Sequence, residues 1–101
     1  MRPIHLAQLD KTRPVVVLTR ELVRPYMTNV TVAPITSRIR GLSVEVPVGK
    51  ANGLEQASVI NLDNIQTIAS DSLGRRIGWL TEEQESLLSQ AVSLAFDLQA
   101  D

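Results

Sequence analysis

The sequence predicts a mainly β fold with one C-terminal helix, in which a small, strongly bent sheet or half-open barrel is closed by the helix. Short β-branched and alternating apolar segments, separated by turn-forming residues, fill the first eighty residues. The last twenty residues instead carry apolar side chains at helical spacing. The chain has 101 residues, 44% of them hydrophobic, so we expect a single domain over residues 1–101 with a buried core.

Three strands are expected in the first third of the chain. The first covers residues 4–9, and a turn at 10–12 precedes the second, over 14–19. The second contains the longest apolar run of the sequence, four residues at 15–18, and is therefore expected to be buried on both faces. Residues 20–28, interrupted by Pro25, are expected to form a loop, and a third strand over 30–33 is expected to end at Pro34.

The middle of the chain predicts further short strands. A basic loop at 37–41 precedes an alternating segment over 42–48, which predicts a half-buried strand, and Pro47 favours an edge position for it. Residues 57–62 and 65–68 predict two short strands or one bent strand. A turn at 70–75 then leads to a last strand over 76–80.

The predicted helix has a defined start. Thr81 and Gln84 have the spacing of a capping box, and three glutamates in the first turn suit the positive end of the helix dipole. Its apolar residues recur on one face that we expect to pack on the core: Leu87, Leu88, Ala91, Val92, Ala95 and Leu98.

Composition excludes several kinds of site. The chain has no cysteine, which excludes disulfides and thiolate metal sites, and His5 is its single histidine, which excludes HExxH and Ser-His-Asp arrangements. No signal peptide or membrane-spanning run is recognisable. We therefore expect a soluble, cytoplasmic protein with no metal, no cofactor and no membrane partner.

The net charge of −1 conceals an uneven distribution. Residues 1–78 carry all ten lysines and arginines and six acids, net +4, whereas residues 79–101 carry five acids. Such a basic body can bind a polyanion, but on charge alone ordinary surface charge is the better explanation. With three aromatic residues in the chain, stacking of bases on an aromatic platform is not expected.

Four polar residues are candidates for a functional site. Arg13 precedes the buried strand and can hold a phosphate, although a lone arginine at a turn is usually a surface residue. Thr36 can donate a hydroxyl to an oxyanion or satisfy the backbone after Pro34. Asp63 and Asn64 are typical turn residues, and they equally offer donors and acceptors to base edges.

Seven segments between residues 13 and 81 occur in an order that resembles the MazF/PemK family of bacterial toxin endoribonucleases. The resemblance implies a small SH3-like barrel of the CcdB/PemK type, a homodimer, and sequence-specific cleavage of single-stranded RNA without metal, which inhibits translation and growth. It also implies a co-encoded, MazE-like antitoxin. The matching segments occur at residues 13–17, 32–37, 53–54, 58–60, 63–68, 73–75 and 77–81.

The resemblance also assigns roles to individual residues. By position it implies that Arg13, Thr36 and Asp63 are catalytic. It implies RNA contacts for Lys11, Ser37, Arg38, Arg40, Asn64 and Gln66.

Three departures from the family pattern qualify these roles. Gln66 replaces a usual Arg or Lys, Asn61 stands where some members carry arginine, and only Lys11 and Thr12 separate Asp10 from Arg13, where members often have about ten residues. The sequence therefore describes a compact member whose general base is unassigned.

Two alternatives stay open at this point. A gyrase poison of the CcdB type would need a C-terminal Trp-Gly-Ile, whereas residues 96–101 are Phe-Asp-Leu-Gln-Ala-Asp. A non-catalytic barrel that binds RNA or protein is the other alternative. Cleavage without His, Cys or metal is chemically sound, because RNA carries its own nucleophile in the 2′-OH.

Overall fold

The computed structural model describes residues 1–99, so the last two residues of the expected domain, 100 and 101, lie outside the described residues. The described chain forms a curled antiparallel sheet with one C-terminal helix, which confirms the predicted fold class. Short 3₁₀ segments occupy Glu21–Tyr26, Lys50–Asn52, Leu62–Asn64 and Ser70–Ser72. The strands and the helix are β1 (Pro3–Gln8), β2 (Thr12–Val17), β3 (Asn29–Thr36), β4 (Glu45–Val48), β5 (Ser58–Asn61), β6 (Gln66–Ala69), β7 (Leu73–Trp79) and α1 (Glu82–Ala95).

Strand β3 organises the sheet. The strands follow the order β4-β5-β3-β2-β1-β7, and β6 also pairs with β3. One edge of β3 pairs with β2, while its other edge pairs first with β6 (through Val32) and then with β5 (from Ile35). The chain that joins β5 to β6 therefore runs along this same edge of β3, and it contains the turn Leu62–Asn64.

Strand β2 supplies the centre of the core. Val15, Val16 and Val17 are all 0% exposed, which confirms the predicted burial on both faces. Val16 belongs to the cluster that also contains Leu88 of α1, whereas Val15 and Val17 belong to a second cluster with Val30, Val32 and Ala7. Alternation along one strand thus feeds two apolar clusters on opposite faces of the curled sheet.

Helix α1 begins as the sequence predicts. The Thr81 hydroxyl accepts from the Gln84 N–H at 3.1 Å, and Gln84 Oε1 accepts from the Thr81 N–H at 3.0 Å. Leu88 is buried, but Leu87 and Leu98 are 38% and 59% exposed, so the expected apolar face was too wide. Leu98 is exposed because the helix ends at Ala95, three residues before it. No helix within residues 1–99 has the length and hydropathy needed to cross a membrane.

Three predicted strand boundaries were wrong by three residues, whereas those of β1 and β2 were displaced by one or two. Pro34 does not end β3: it pairs with Val15 at a position where neither β6 nor β5 covers the other edge, so the missing N–H costs little there. Strand β4 starts at Glu45 instead of 42, because the Glu45 carboxylate accepts from the Arg40 and Leu42 N–H groups and holds the preceding residues as a loop. Strand β7 starts three residues early, at Leu73.

Strand β7 is irregular along β1. The pairs Ile4–Gly78, His5–Arg76 and Ala7–Leu73 leave extra β7 residues between them, and these register shifts mark bulges. His5 Nδ1 lies 2.8 Å from the Gly74 carbonyl oxygen, which fits the structural role that the sequence favours for this histidine. The bulges give β7 more residues than the part of β1 that it pairs with. Bulges also increase the local twist of a strand.

Candidate active site

The β1–β2 hairpin positions Arg13. The loop between β1 and β2 is short. At its two ends, Thr12 Oγ1 donates to Gln8 Oε1 at 2.9 Å. Arg13 follows directly and lies opposite Ala7, which is buried. The guanidinium therefore emerges from a tightly built strand end, with its side chain 33% exposed.

The Arg13 guanidinium is held by a carboxylate that the sequence analysis treated only as a turn residue. Arg13 Nε donates to Asp10 Oδ1 at 2.7 Å, and Nη2 donates to Oδ2 at 3.0 Å. This fork lowers the pKa of Asp10 well below its usual range and raises the pKa of Arg13. Arg13 thus stays charged, and it keeps further N–H donors beyond the two that Asp10 takes. The short loop, with Asp10 three residues before Arg13, was the available signal.

Thr36 is the last residue of β3. Its Oγ1 accepts from the Arg38 N–H at 3.1 Å, which orients the hydroxyl oxygen while leaving its proton to be donated elsewhere. The side chain is half-buried beside the loop that carries Arg38 and Arg40. Thr36 can therefore offer one oriented O–H donor at the strand end.

The turn Leu62–Asn64 carries Asp63 and Asn64. Asn61 caps this turn, since its Oδ1 accepts from the Asp63 N–H at 2.9 Å. Both Asp63 and Asn64 are exposed. Within residues 1–99 the Asp63 carboxylate takes part in no ion pair. Asn61 thus stabilises the backbone of the turn, and Asp63 and Asn64 are exposed on it.

Seven of the nine predicted site residues line one groove of about 560 Å³, called the first groove below. It contains three arginines and three carboxylates, of which Asp10 is bound by Arg13 and Glu45 by loop N–H groups. Neither Arg38 nor Arg40 forms an ion pair within residues 1–99, so both remain available to an anion. The predicted residues in this groove are Arg13, Thr36, Asp63, Arg38, Arg40, Asn64 and Gln66.

The two other predicted residues, Lys11 and Ser37, lie elsewhere. They line a second groove of about 430 Å³, which shares Arg13, Ile35 and Thr36 with the first. The two grooves therefore meet at the Arg13–Thr36 wall. No aromatic residue is among the described residues that line either groove.

The described residues contain no set of donor side chains for a metal centre. Among residues 1–99, no three His, Asp or Glu side chains cluster in a way that could hold a metal ion. The first groove instead offers the Arg13 guanidinium, the oriented Thr36 hydroxyl and the free Asp63 carboxylate, beside the further cations Arg38 and Arg40. These groups suit a phosphodiester whose charge grows during reaction.

Comparison with known proteins identifies the family. The sequence profile described as "PemK-like, MazF-like toxin of type II toxin-antitoxin system" matches residues 3–96. The chain belongs to the PemK/MazF toxin family. It is 62% identical over 98 residues to Endoribonuclease MazF3 of Mycobacterium tuberculosis, a match that covers 97% of this chain and 95% of that protein.

Solved structures agree with this membership. The chain resembles the M. tuberculosis toxin MazF-mt6 with a TM-score of 0.96 and 61% identity, over 98% of this chain and all of that one. It also resembles a mycobacterial endoribonuclease solved in complex with its cognate antitoxin, with a TM-score of 0.86 over 98% of this chain and 95% of that one. At 22% identity, this last likeness bears on the fold alone. The PemK/MazF resemblance seen in the sequence is thereby confirmed.

Proposed function

We propose that this MazF-type endoribonuclease toxin cleaves single-stranded RNA at specific sequences, without a metal, by attack of the 2′-OH on the adjacent phosphate. One observation carries the proposal. Arg13 from the start of β2 and Thr36 from the end of β3 line the same groove, and the free carboxylate of Asp63 and the amide of Asn64 line it with them.

The reaction makes limited demands on the protein. The O2′–P bond forms and the P–O5′ bond breaks, leaving a 2′,3′-cyclic phosphate upstream and a 5′-OH downstream. The 2′-OH loses a proton and the departing O5′ gains one. Because the nucleophile is already tethered beside phosphorus, the protein must mainly orient the backbone and stabilise the phosphorane.

We assign to Arg13 and Thr36 the stabilisation of the negative charge on the phosphorane. The raised pKa of Arg13 suits an electrostatic role and argues against a proton donor. The Thr36 hydroxyl, oriented by its bond from the Arg38 N–H, donates to a second phosphate oxygen. Asp63, exposed and in no ion pair within the described chain, is the carboxylate that can exchange a proton with the RNA.

Specificity and affinity come from different residues of the site. Asn64 and Gln66 are exposed amides in the first groove and offer paired donors and acceptors to base edges. Arg38 and Arg40 are exposed cations on the loop after Thr36, and we assign them to backbone phosphates, as we do Lys11 and Ser37 in the second groove.

The partners follow from the family. We propose that a MazE-like antitoxin covers the first groove with a disordered acidic and apolar tail that folds on binding. Cleavage of cytoplasmic RNA then inhibits translation and growth once the antitoxin is lost. The homodimer implied by the family resemblance is part of this proposal, and sedimentation equilibrium of the purified protein tests it.

Mapping of cut ends tests the chemistry. The purified protein is incubated with a long natural RNA and EDTA, and the 5′ ends of the fragments are mapped and tested for phosphorylation. We expect a 5′-OH at one consensus, at a rate that EDTA leaves unchanged. An oligonucleotide with a single 2′-deoxy substitution just 5′ of the cut should bind and stay intact. A 5′-phosphate, or cutting of the deoxy-substituted strand, overturns internal attack, and binding with no cleavage of any RNA indicates a non-catalytic barrel.

Substitutions separate affinity from specificity. The double variant Arg38→Ala/Arg40→Ala should weaken binding to all RNAs and flatten the salt dependence, because phosphate contacts carry no sequence information. Asn64→Ala should instead relax the consensus. A consensus identical to that of the wild type removes Asn64 from base recognition.

Antitoxin binding is tested with the product of the adjacent small gene. We expect it to co-purify with this chain and to abolish cleavage of the mapped oligonucleotide. A complex that forms but leaves the cleavage rate unchanged rules out occlusion of the groove.

A further inference from the structure

The second groove is a candidate binding site that begins where the first one ends. Both grooves share Arg13, Ile35 and Thr36, and their volumes are comparable, about 430 Å³ and 560 Å³. A single-stranded RNA whose scissile phosphate lies on the Arg13–Thr36 wall is a continuous polymer, so it must leave that wall in two directions. The first groove offers a path for one of them, and the second groove offers a path for the other.

The charge of the second groove suits a nucleic-acid backbone. Its lining holds the three cations Lys11, Arg13 and Arg75 against a single carboxylate, Glu55. Lys11 and Arg75 are exposed and take part in no ion pair within residues 1–99. The first groove, by contrast, balances three arginines with three carboxylates. The second groove is thus the more cationic of the two.

The bulged strand β7 aims Arg75 into this groove. At the register shift between His5 and Ala7, the two β7 residues Gly74 and Arg75 lie opposite the single β1 residue Leu6. Arg75 and Ile77 line the second groove, while Arg76 between them places its guanidinium 4.4 Å from the centre of the Trp79 ring. Bulges commonly redirect a side chain beside an active site, which agrees with this placement.

The opposite wall is rigid. It consists of the turn that follows β4, and a Cβ on Gly53 would lie 1.9 Å from the Ile77 carbonyl oxygen, so only glycine permits this close packing on β7. Asn52, 1% exposed, anchors the same turn by donating to the Trp79 carbonyl at 2.9 Å and to Gln84 at 2.6 Å. Gln56 is exposed on this wall and faces a floor that includes Leu6, Ile35 and Ile77.

We infer that the second groove binds the RNA nucleotides on the side of the scissile phosphate opposite to those in the first groove, with Lys11 and Arg75 on phosphates and Gln56 on a base edge. This inference rests on the proposed function. It adds a second recognition surface to the site and predicts that nucleotides on both sides of the cut contribute to the affinity.

Truncated oligonucleotides test the inference. RNAs centred on the mapped cut site, each with the blocking 2′-deoxy substitution, are shortened stepwise from the 5′ or the 3′ end, and their Kd values are measured. The double variant Gln56→Ala/Arg75→Ala should weaken binding of the longest RNA by about tenfold. That loss should vanish when nucleotides are removed from one end and persist when they are removed from the other. Arg38→Ala/Arg40→Ala should show the opposite dependence.

Arg76→Ala is the matched control, since it removes the same charge from the same strand on the side of Trp79, outside both grooves. Lys11→Gln repeats the test from the other side of the groove if circular dichroism shows the double variant to be unfolded. The inference is overturned if the loss does not depend on which end is shortened, if affinity is unchanged, or if Arg76→Ala reproduces the loss. Cleavage of RNA by the wild type separates the two proposals: if no RNA is cut the proposed function fails, and if RNA is cut only the second groove is in question.

Discussion

Two arginine–carboxylate pairs, Arg2–Glu85 and Arg13–Asp10, have the same chemistry but different roles. Arg2 donates five hydrogen bonds: three to Glu85, at 2.7–3.1 Å, and two to the carbonyl oxygens of Val17 and Leu18, at 2.9 and 3.1 Å. Arg13 donates two, both to Asp10. Arg2 thereby ties the N-terminus to the end of β2 and to α1, which are distant in sequence, whereas Arg13 contacts a residue only three positions away.

The difference lies in what remains free. The protein occupies four of the five Arg2 N–H groups, because the single Nε–H is shared between the two Glu85 oxygens, and the side chain is 24% exposed. Asp10 is 69% exposed, and a local, solvated pair of this kind contributes little to stability. An external phosphate can therefore compete for Arg13 but finds a single N–H group left on Arg2. Two guanidinium groups of identical chemistry are thus distinguished by their partners.

The largest effect should follow from removing Arg13. Arg13→Ala should lower kcat/KM on the mapped oligonucleotide by about 10²–10³-fold or more, because a donor to the developing charge is lost. Its melting temperature should stay close to that of the wild type, because the pair with Asp10 is exposed. Arg20→Ala, an exposed arginine outside both grooves, is the control. A soluble Arg13→Ala variant with full activity would remove Arg13 from the site.

Arg2→Ala should produce the opposite pattern. We expect a loss of roughly 2 kcal/mol in the free energy of unfolding, since charged hydrogen bonds to Glu85 and to two carbonyl groups disappear together. Activity per folded molecule should remain. Urea unfolding gives the first quantity, and kcat/KM below the transition gives the second. Equal stabilities of Arg2→Ala and Arg20→Ala would show that the Arg2 fork is not structural.

Acid should weaken the Arg2–Glu85 pair selectively. The hydrogen bond from Arg2 lowers the pKa of Glu85 below its ordinary value of 4.5, so the folded state binds this proton less readily than the unfolded chain. The contribution of Glu85 to stability is then complete above that value and is lost as the pH falls below it through the folded pKa. The stability difference between wild type and Glu85→Gln should shrink from pH 6 to pH 3, and a constant difference contradicts the assignment.

The smallest effect concerns the carboxylate that competes for Arg13. Asp10→Asn should strengthen binding of the deoxy-substituted oligonucleotide by about twofold to fivefold, the range of an exposed ion pair, and should steepen its salt dependence. Asn at this position keeps the turn geometry, so the hairpin should be unaffected. Weaker binding would show that Asp10 holds Arg13 in position for RNA and does not compete with it.

The order of the strands and the helix, and the principal candidate residues, could be predicted from local sequence patterns and family resemblance. Valines at 15–17 require burial on both faces, and the Thr81–Gln84 spacing encodes a local cap, so both could be predicted without tertiary information. Arg13, Thr36 and Asp63 were identified because their flanking segments match a family in order. The boundaries at Pro34, Leu42 and Leu73 were missed because each depends on a partner strand or loop.

Which groups meet depends on the tertiary fold. Glu85 binds Arg2 from the far end of the chain, and Asn52 meets Gln84 through the packing of a turn on the helix start. The predicted residues divide between two grooves, and the turn with Asp63 and Asn64 lies between β5 and β6, which pair with the same edge of β3. Such contacts depend on strand register and on close approaches such as that of Gly53 to β7, which periodicity does not encode. The same reason explains why two arginines that look alike in the sequence have different partners and different availability to a phosphate.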